Sequence, residues 1–327
     1  MASKESGLIL VTGATGLVGS ALVSRLSLGN LNIRAAIRRH DCQIPNGVGL
    51  TRVGDLNHDT DWSGALESVD VVVHLAARVH VMTDMASDPL TEFRLVNVAG
   101  TVNLARQAAT IGVRRLIYVS SIGVNGNSTT LGQTFTADDE PHPHDPYSIS
   151  KHEAEQGLHQ LAAETGLEVV IIRPPLVYGP GAPGNFGRLV NILGKSLPLP
   201  LGSIHNKRSL VALDNLVDLI VTCINHPGAA NQTFLVSDGE DLSTTELLHR
   251  IGNALGKPSR LIPVPISLLE MGAVLLGRRD VTQRLCGSLQ VDITKTKELL
   301  GWTPPISVDE GMRRIVLCQS KTGATSP

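Results

Sequence analysis

The sequence predicts a doubly wound α/β fold, a Rossmann-like parallel sheet with helices on both faces, followed by a smaller C-terminal α/β part. Three observations predict it. Short β-branched runs alternate with stretches of helical periodicity, the runs are apolar on both faces, and a glycine-rich turn joins the first run to the first helix. With 327 residues, 42% hydrophobic but only 3% aromatic, the interior must be filled by Val, Ile, Leu and Ala, which suits a buried parallel sheet.

Strands are expected at Leu8–Thr12, Ile33–Ile37, Val69–Leu75, Leu116–Ser120 and Val169–Arg173, with a shorter one at Leu50–Val53. Helices are expected at Gly16–Leu28, Leu90–Ile111 and Ser148–Thr165, and right-handed crossovers then lay the strands parallel. Beyond about residue 175 the rhythm is lost and prolines crowd the chain, at 174, 175, 180, 183, 198 and 200. Residues 1–175 therefore read as the dinucleotide-binding domain and 176–327 as the substrate-binding part. Val211–Asn225 has helical periodicity and Thr233–Val236 is strand-like, so residues 209–237 are expected to return to the sheet. The apolar stretch Leu261–Gly277, broken by Pro263, Pro265 and Glu270, reads as a loop entering a buried helix and is too short to cross a bilayer. The first six residues and Lys321–Pro327 are polar or small and are expected to be loose.

A formal charge of -2 and a pI near 6.6 give no field that would gather a polyanion, which argues against nucleic acid as a partner. Cys42, Cys223, Cys286 and Cys318 are far apart and show no metal-ligand spacing. With no secretory leader ahead of the first strand, a cytoplasmic setting is expected and no metal.

The turn Gly13-Ala14-Thr15-Gly16-Leu17-Val18-Gly19 follows a strand and opens a helix, the setting in which three glycines bind a dinucleotide. Gly13 permits the tight turn, Gly16 lets the backbone approach a pyrophosphate, and Gly19 lets helix and strand pack closely. At the end of the second strand the chain reads Arg38-Arg39-His40-Asp41. Two guanidinium groups suit a 2′-phosphate and favour NADP(H); NAD(H) is the alternative, with Asp41 reaching the ribose. Asp55 and Leu56 follow a short strand where a carboxylate can accept from an adenine amino group and a leucine can pack on its ring, the alternative being that Asp55 is a plain turn residue; Leu75-Ala76-Ala77 ends a buried strand at the carboxyl edge, where small residues let a nucleotide come close.

Ser120-Ser121 ends another strand, and Tyr147 and Lys151, four residues apart, share a face at the start of the next helix. A phenol of pKa ~10 is a poor acid–base group at neutral pH, and a neighbouring ammonium is expected to pull it down. A serine hydroxyl on the adjacent strand end can orient a substrate carbonyl.

Over nearly its whole length the chain resembles the extended short-chain dehydrogenase/reductases, and within them the NAD-dependent epimerase/dehydratase group that acts on nucleotide sugars. The resemblance rests on the glycine turn, Gly54-Asp55-Leu56, His74-Leu75-Ala76-Ala77, Asn97-Val-Ala-Gly100-Thr101, Ser120-Ser121, Tyr147 with Lys151, and Arg173-Pro174-Pro175-Leu176-Val177-Tyr178-Gly179-Pro180. It implies that Tyr147 is the acid–base, that Lys151 also holds the nicotinamide ribose, that Ser121 supports the reacting oxygen, and that Asn97, Ser120 and Pro174 line the cofactor. It implies further that Asn185 and Phe186 meet the nucleotide of a UDP-sugar and Arg208 its diphosphate. A homodimer through Leu90–Ile111 and Ser148–Thr165 is implied as well.

Related 4,6-dehydratases carry an Asp-Glu pair after the catalytic Ser/Thr, and related decarboxylases a Glu; this chain has Ile122-Gly123 there. The epimerase/reductases that make GDP-fucose need a cysteine in this loop, and none lies between Cys42 and Cys223. What remains is carbonyl–carbinol redox. Arg38-Arg39, together with Leu176 where related sugar epimerases usually have Asn, favours a reductase of the C4 carbonyl of a UDP-4-keto-6-deoxy-N-acetylhexosamine, as in bacterial surface-polysaccharide synthesis. A UDP-hexose (UDP-N-acetylglucosamine) 4-epimerase with retained NAD is the alternative. A small-molecule ketone reductase and a non-catalytic NADP(H)-responsive protein stand behind these two.

Overall fold

In the computed structural model, which describes residues 7–38, 44–79, 88–182, 185–275 and 285–323, strand β1 (Leu8–Thr12) lies inside a seven-stranded, wholly parallel sheet. Its neighbours are β2 (Ile33–Ile37), followed outward by β3 (Gly49–Arg52), on one side and β4 (Val69–His74) on the other. Beyond β4 come β5 (Arg115–Val119), β6 (Glu168–Arg173) and β9 (Gln232–Leu235). The order reverses between β1 and β4, so a crevice opens at their carboxyl ends. Register aligns those ends: Thr12 faces His74, His74 faces Tyr118, and Val119 faces Ile172.

Helices α1 (Leu17–Leu28) and α7 (Leu213–Asn225) cover one face with Leu22, Leu26, Leu216 and Ile220. On the other face, α4 (Thr101–Ile111) and α5 (Pro146–Thr165) bury Leu104, Ala108, Ala154 and Leu158. The C-terminal part has its own core around Tyr178, Phe186, Leu248 and Met312, under a small sheet of β7 (Leu176–Tyr178), β8 (Arg208–Ala212) and β10 (Asp241–Leu242). The chain returns to the main sheet through β9, which pairs with β6 from Val170↔Gln232 to Arg173↔Leu235.

Three expectations need correction. Val211 and Ala212 finish β8, because Val211 and Leu210 pair with β7, and the helix begins only at Leu213. Helix α9 (Ile266–Leu275), expected to be buried, turns Leu268, Met271, Val274 and Leu275 to solvent, since only its Leu269 side packs on the C-terminal core. Lys321 to Gly323, expected to be loose, close the helix Val308–Gly323. The two chain ends, 1–6 and 324–327, lie outside the described residues.

Residues 288–292 strap the loop after β5 to β8. Thr129 and Phe135 donate their backbone N–H to Ser288 and Gln290 (both 2.8 Å), and Leu289 exchanges backbone bonds with Lys207 and Ser209.

Candidate active site

Gly13 has φ +67, and a β-carbon on it would stand 2.7 Å from the Ala76 nitrogen, so the close packing of β1 on the end of β4 requires glycine. A β-carbon on Gly19 would overlap the Gly13 carbonyl oxygen. Gly16 differs: its nearest neighbour would be the Gly13 oxygen at 3.3 Å, so little in the protein demands glycine there. Gly16 is also the N-cap of α1, with no capping side chain and no acid in the first turn. The amides of Leu17 and Val18 therefore form an uncapped positive helix end beside exposed Thr15, an arrangement that fits a pyrophosphate.

At the end of β2, exposed Arg38 stands 3.7 Å from the Asp55 carboxylate, while Arg39 and Asp41 lie outside the described residues. Leu56 is half-buried against Gly100, where a β-carbon would strike its side chain. Leu75, Ala76 and Ala77 are half-buried at the edge of the crevice.

His74 anchors this edge. Its ring is fully buried, with Nδ1 2.7 Å from Thr12 Oγ1 and Nε2 2.9 Å from Thr101 Oγ1. Thr12 Oγ1 also accepts the N–H groups of Leu75 and Ala76, both at 3.2 Å, so its own proton goes to His74 Nδ1. Burial, and then the charge of Lys151, hold His74 down at about 3, a neutral imidazole serving as a strut.

Helix α3 (Pro89–Phe93) runs into α4 through a widened π segment, Arg94–Gly100, which carries the buried Asn97. Asn97 Nδ2 donates to the Arg78 carbonyl and to Ser150 Oγ, both at 3.0 Å, and its Oδ1 accepts the Arg78 N–H. It thereby ties the segment after β4 to α5. Single π turns of this kind recur at functional sites.

Asp145 caps α5 by accepting the Ser148 N–H, and Pro146 occupies the first turn, which fixes where Tyr147 and Lys151 emerge. Lys151 is buried, donates to the Val119 carbonyl at 2.9 Å, and lies 4.4 Å from the centre of the Tyr118 ring and 5.9 Å from that of Tyr147. Burial pushes Lys151 down to about 7, partly opposed by Glu155. Tyr147 moves opposite to expectation: burial, and then Asp145, push it up to about 12. The cause is desolvation, which outweighs an ammonium engaged with Val119 and Tyr118.

Ser121 Oγ accepts the Gly123 N–H at 3.1 Å and keeps its own proton for a ligand. Ser120 has a buried hydroxyl with no partner among the described residues, and Pro174 lies buried beside it, its carbonyl accepting the Ile122 N–H at 3.0 Å. An orphaned hydroxyl between the glycine turn and Tyr147 fits a cofactor ribose. A β-carbon at Gly123 would collide with Ser148 Oγ, which Asp145 holds at 2.8 Å.

Of the substrate residues, Arg208 starts β8, is drawn in from solvent, and donates to the Gly287 carbonyl at 3.1 Å; burial lowers its pKa. Asn185 opens helix α6 (Asn185–Gly194). Phe186 belongs to the C-terminal core, its ring 5.6 Å from Tyr178, so only its backbone can face a nucleotide. Sequence reasoning missed Tyr118 as the partner of Lys151; its place on β5, three residues before Ser121, was the available signal.

A parallel sheet with a glycine turn at its switch point, and a Tyr–Lys pair beside a strand-end serine, define a dinucleotide-dependent enzyme of the short-chain dehydrogenase/reductase type. The chain belongs to the NAD dependent epimerase/dehydratase family, whose model matches residues 9–237. It is 52% identical over 307 residues to a UDP-glucose 4-epimerase of Vibrio cholerae, covering 94% of this chain and 93% of that protein. It is 27% identical to the N-acetyl-alpha-D-glucosaminyl-diphospho-ditrans,octacis-undecaprenol 4-epimerase of Escherichia coli O157:H7, over 94% of this chain and 93% of the relative. The fold matches the crystal structure of UDP-glucuronic acid 4-epimerase from Bacillus cereus in complex with NAD, with TM-score 0.77, 20% identity, and 96% and 99% of the two chains covered. Among the described residues no cluster of His, Cys, Asp or Glu could hold a metal, and no helix is long and apolar enough to cross a membrane.

Proposed function

We propose that this chain is a UDP-hexose 4-epimerase working with retained NAD. The observation that carries the reading is the 52% identity, over nearly the full length of both chains, to the Vibrio cholerae UDP-glucose 4-epimerase. NAD would lie across Gly16, Asn97 and Ser120, and it supplies the acceptor and donor of hydride at C4 of the sugar. Tyr147 takes the C4 hydroxyl proton as the ketone forms and returns it after the sugar presents its other face. Because burial pushes Tyr147 up to about 12, taking that proton would require bound NAD and the Lys151 ammonium, 5.9 Å from its ring, to favour the tyrosinate; Ser121 donates to the C4 oxygen. Arg208 meets the diphosphate and Asn185 the nucleotide. The proposal includes a homodimer through the outer faces of Pro89–Ile111 and α5, where Leu95 and Ile111 are exposed, in a cytoplasmic setting. Supply of a surface polysaccharide accords with the substrate named for the E. coli relative.

One-way reduction with NADPH has less support. Arg38 shares its surroundings with the Asp55 carboxylate, which would repel a 2′-phosphate, and the 52% identical relative is an epimerase. The test is to denature the purified protein and identify the dinucleotide released, then to incubate intact protein with UDP-glucose and with UDP-N-acetylglucosamine, adding no cofactor. NAD in the supernatant and formation of the 4-epimer are expected. Activity confined to added NADPH and a 4-keto sugar would overturn the assignment.

A further inference from the structure

A helix that is apolar all round is normally enclosed on every side. Helix α9, Ile-Ser-Leu-Leu-Glu-Met-Gly-Ala-Val-Leu, is close to such a helix, yet among the described residues only its Leu269 side is covered, in the C-terminal core. Leu268, Met271 and Leu275 follow at helical spacing on the other side and are 52%, 57% and 81% exposed. Val274 widens the stripe. Ile262, 50% exposed, lies on the segment that leads to α9, and Leu197, also 50% exposed, on the segment after α6 that pairs with it through Leu199 and Ile262 backbone bonds.

The same two segments carry exposed Lys195, Lys257 and Arg260. Lys257 Nζ donates to the Gly194 carbonyl at 2.6 Å, and the Arg260 carbonyl accepts the Leu199 N–H at 2.9 Å, so the three cations border the apolar patch. Glu270, at the stripe's edge, is the only acid on α9, and Ser267 is the only other polar side chain on that helix. An apolar stripe with few hydrogen-bonding groups and a cationic border matches acyl chains lying under anionic headgroups. A protein partner would call for polar complementarity, which this face offers in little measure.

We propose that α9, with Leu197 and Ile262, docks this protein on an anionic lipid surface, lying in the interface without crossing it. Arg208 belongs to the same part of the chain, bonded to Gly287 beside Leu285 and Cys286, which pack in the core that supports α9. Docking would therefore hold the entrance for a sugar diphosphate close to the membrane, whichever sugar is used.

The test is co-sedimentation of the full-length protein with vesicles of phosphatidylcholine alone and with roughly a third phosphatidylglycerol. The variants are Met271→Asp/Leu275→Asp, and Lys195→Ala/Lys257→Ala/Arg260→Ala. Wild type should bind the anionic vesicles preferentially. The aspartate pair should abolish binding, and the triple variant should lower partitioning roughly a hundredfold, from about fivefold per charge. Both variants should keep the wild-type melting temperature and the wild-type turnover of soluble substrate, which separates this proposal from the epimerase assignment. Equal sedimentation of wild type and the aspartate pair would overturn it. So would a wild type that ignores both vesicles, or a dimer seen by sedimentation velocity without lipid that the aspartate pair splits, since a second copy would then cover the stripe.

Discussion

Arg173 and Glu155 meet where β6 packs on α5, the guanidinium Nε and Nη2 donating to both carboxylate oxygens at 2.6 to 3.2 Å with both side chains buried. Arg173 Nη1 also reaches Asn125 Oδ1 at 3.0 Å, so one side chain fastens the sheet, α5 and the loop after β5 together. Removing one partner leaves a buried charge uncompensated. Glu155→Gln is expected to cost about 3–5 kcal/mol, read as a fall in the midpoint of urea unfolding. A midpoint within error of wild type would show that the pair is dispensable.

Tyr147→Phe should lower turnover by roughly two to four orders of magnitude while the protein still retains its dinucleotide. The readout is product formation beside the amount of nucleotide released on denaturation. A variant that keeps wild-type turnover would remove Tyr147 from the chemistry.

Gly16→Ala and Gly19→Ala should fail in different ways. At position 19 the new methyl group meets the Gly13 carbonyl, and a stability loss of about 1–3 kcal/mol or more is expected. At position 16 the methyl group meets chiefly the space in front of α1, so the fold should survive and the dinucleotide should be lost during purification. Melting temperature and bound-nucleotide content separate the two; equal behaviour would contradict the assignment of Gly16 to the pyrophosphate.

His74 makes a prediction about acid. Its folded pKa is about 3 against an ordinary 6.5, so below pH 6.5 the unfolded chain binds a proton that the folded one refuses. This contribution to stability is complete above about 6.5 and falls by about 1.4 kcal/mol per pH unit down to about 3. Unfolding followed between pH 7 and about 4.5 should show this slope, and His74→Gln should flatten it. An unchanged slope in the variant would place the acid sensitivity elsewhere.

Much of this arrangement was legible in residue order. Leu8–Thr12 and Ile33–Ile37 begin and end where the β-branched runs do, because turn-forming Gly13, Asn30 and Asn32 bound them. Tyr147, Lys151 and Ser121 were readable because one helix face and one strand end must bring them together. What escaped depends on the third dimension. Leu90–Ile111 reads as one plain helix, and nothing in its periodicity shows the π widening at Asn97. The upward shift of Tyr147 follows from water exclusion by neighbours far along the chain, and the exposure of α9 from having, among the described residues, no element packed over it. An apolar helix reads the same in sequence whether it is covered or bare.

Ser148 takes no part in the proposed chemistry, yet it restricts what the site can become. Held by Asp145, its hydroxyl fills the space in front of Gly123, the position where related dehydratases and decarboxylases carry an acid. A lone Gly123→Glu change meets that hydroxyl, and relieving the clash disturbs the cap on which the placement of Tyr147 depends. A lineage starting from this sequence would have to cross a two-step valley to reach elimination chemistry, the first step of which weakens the redox enzyme it already has.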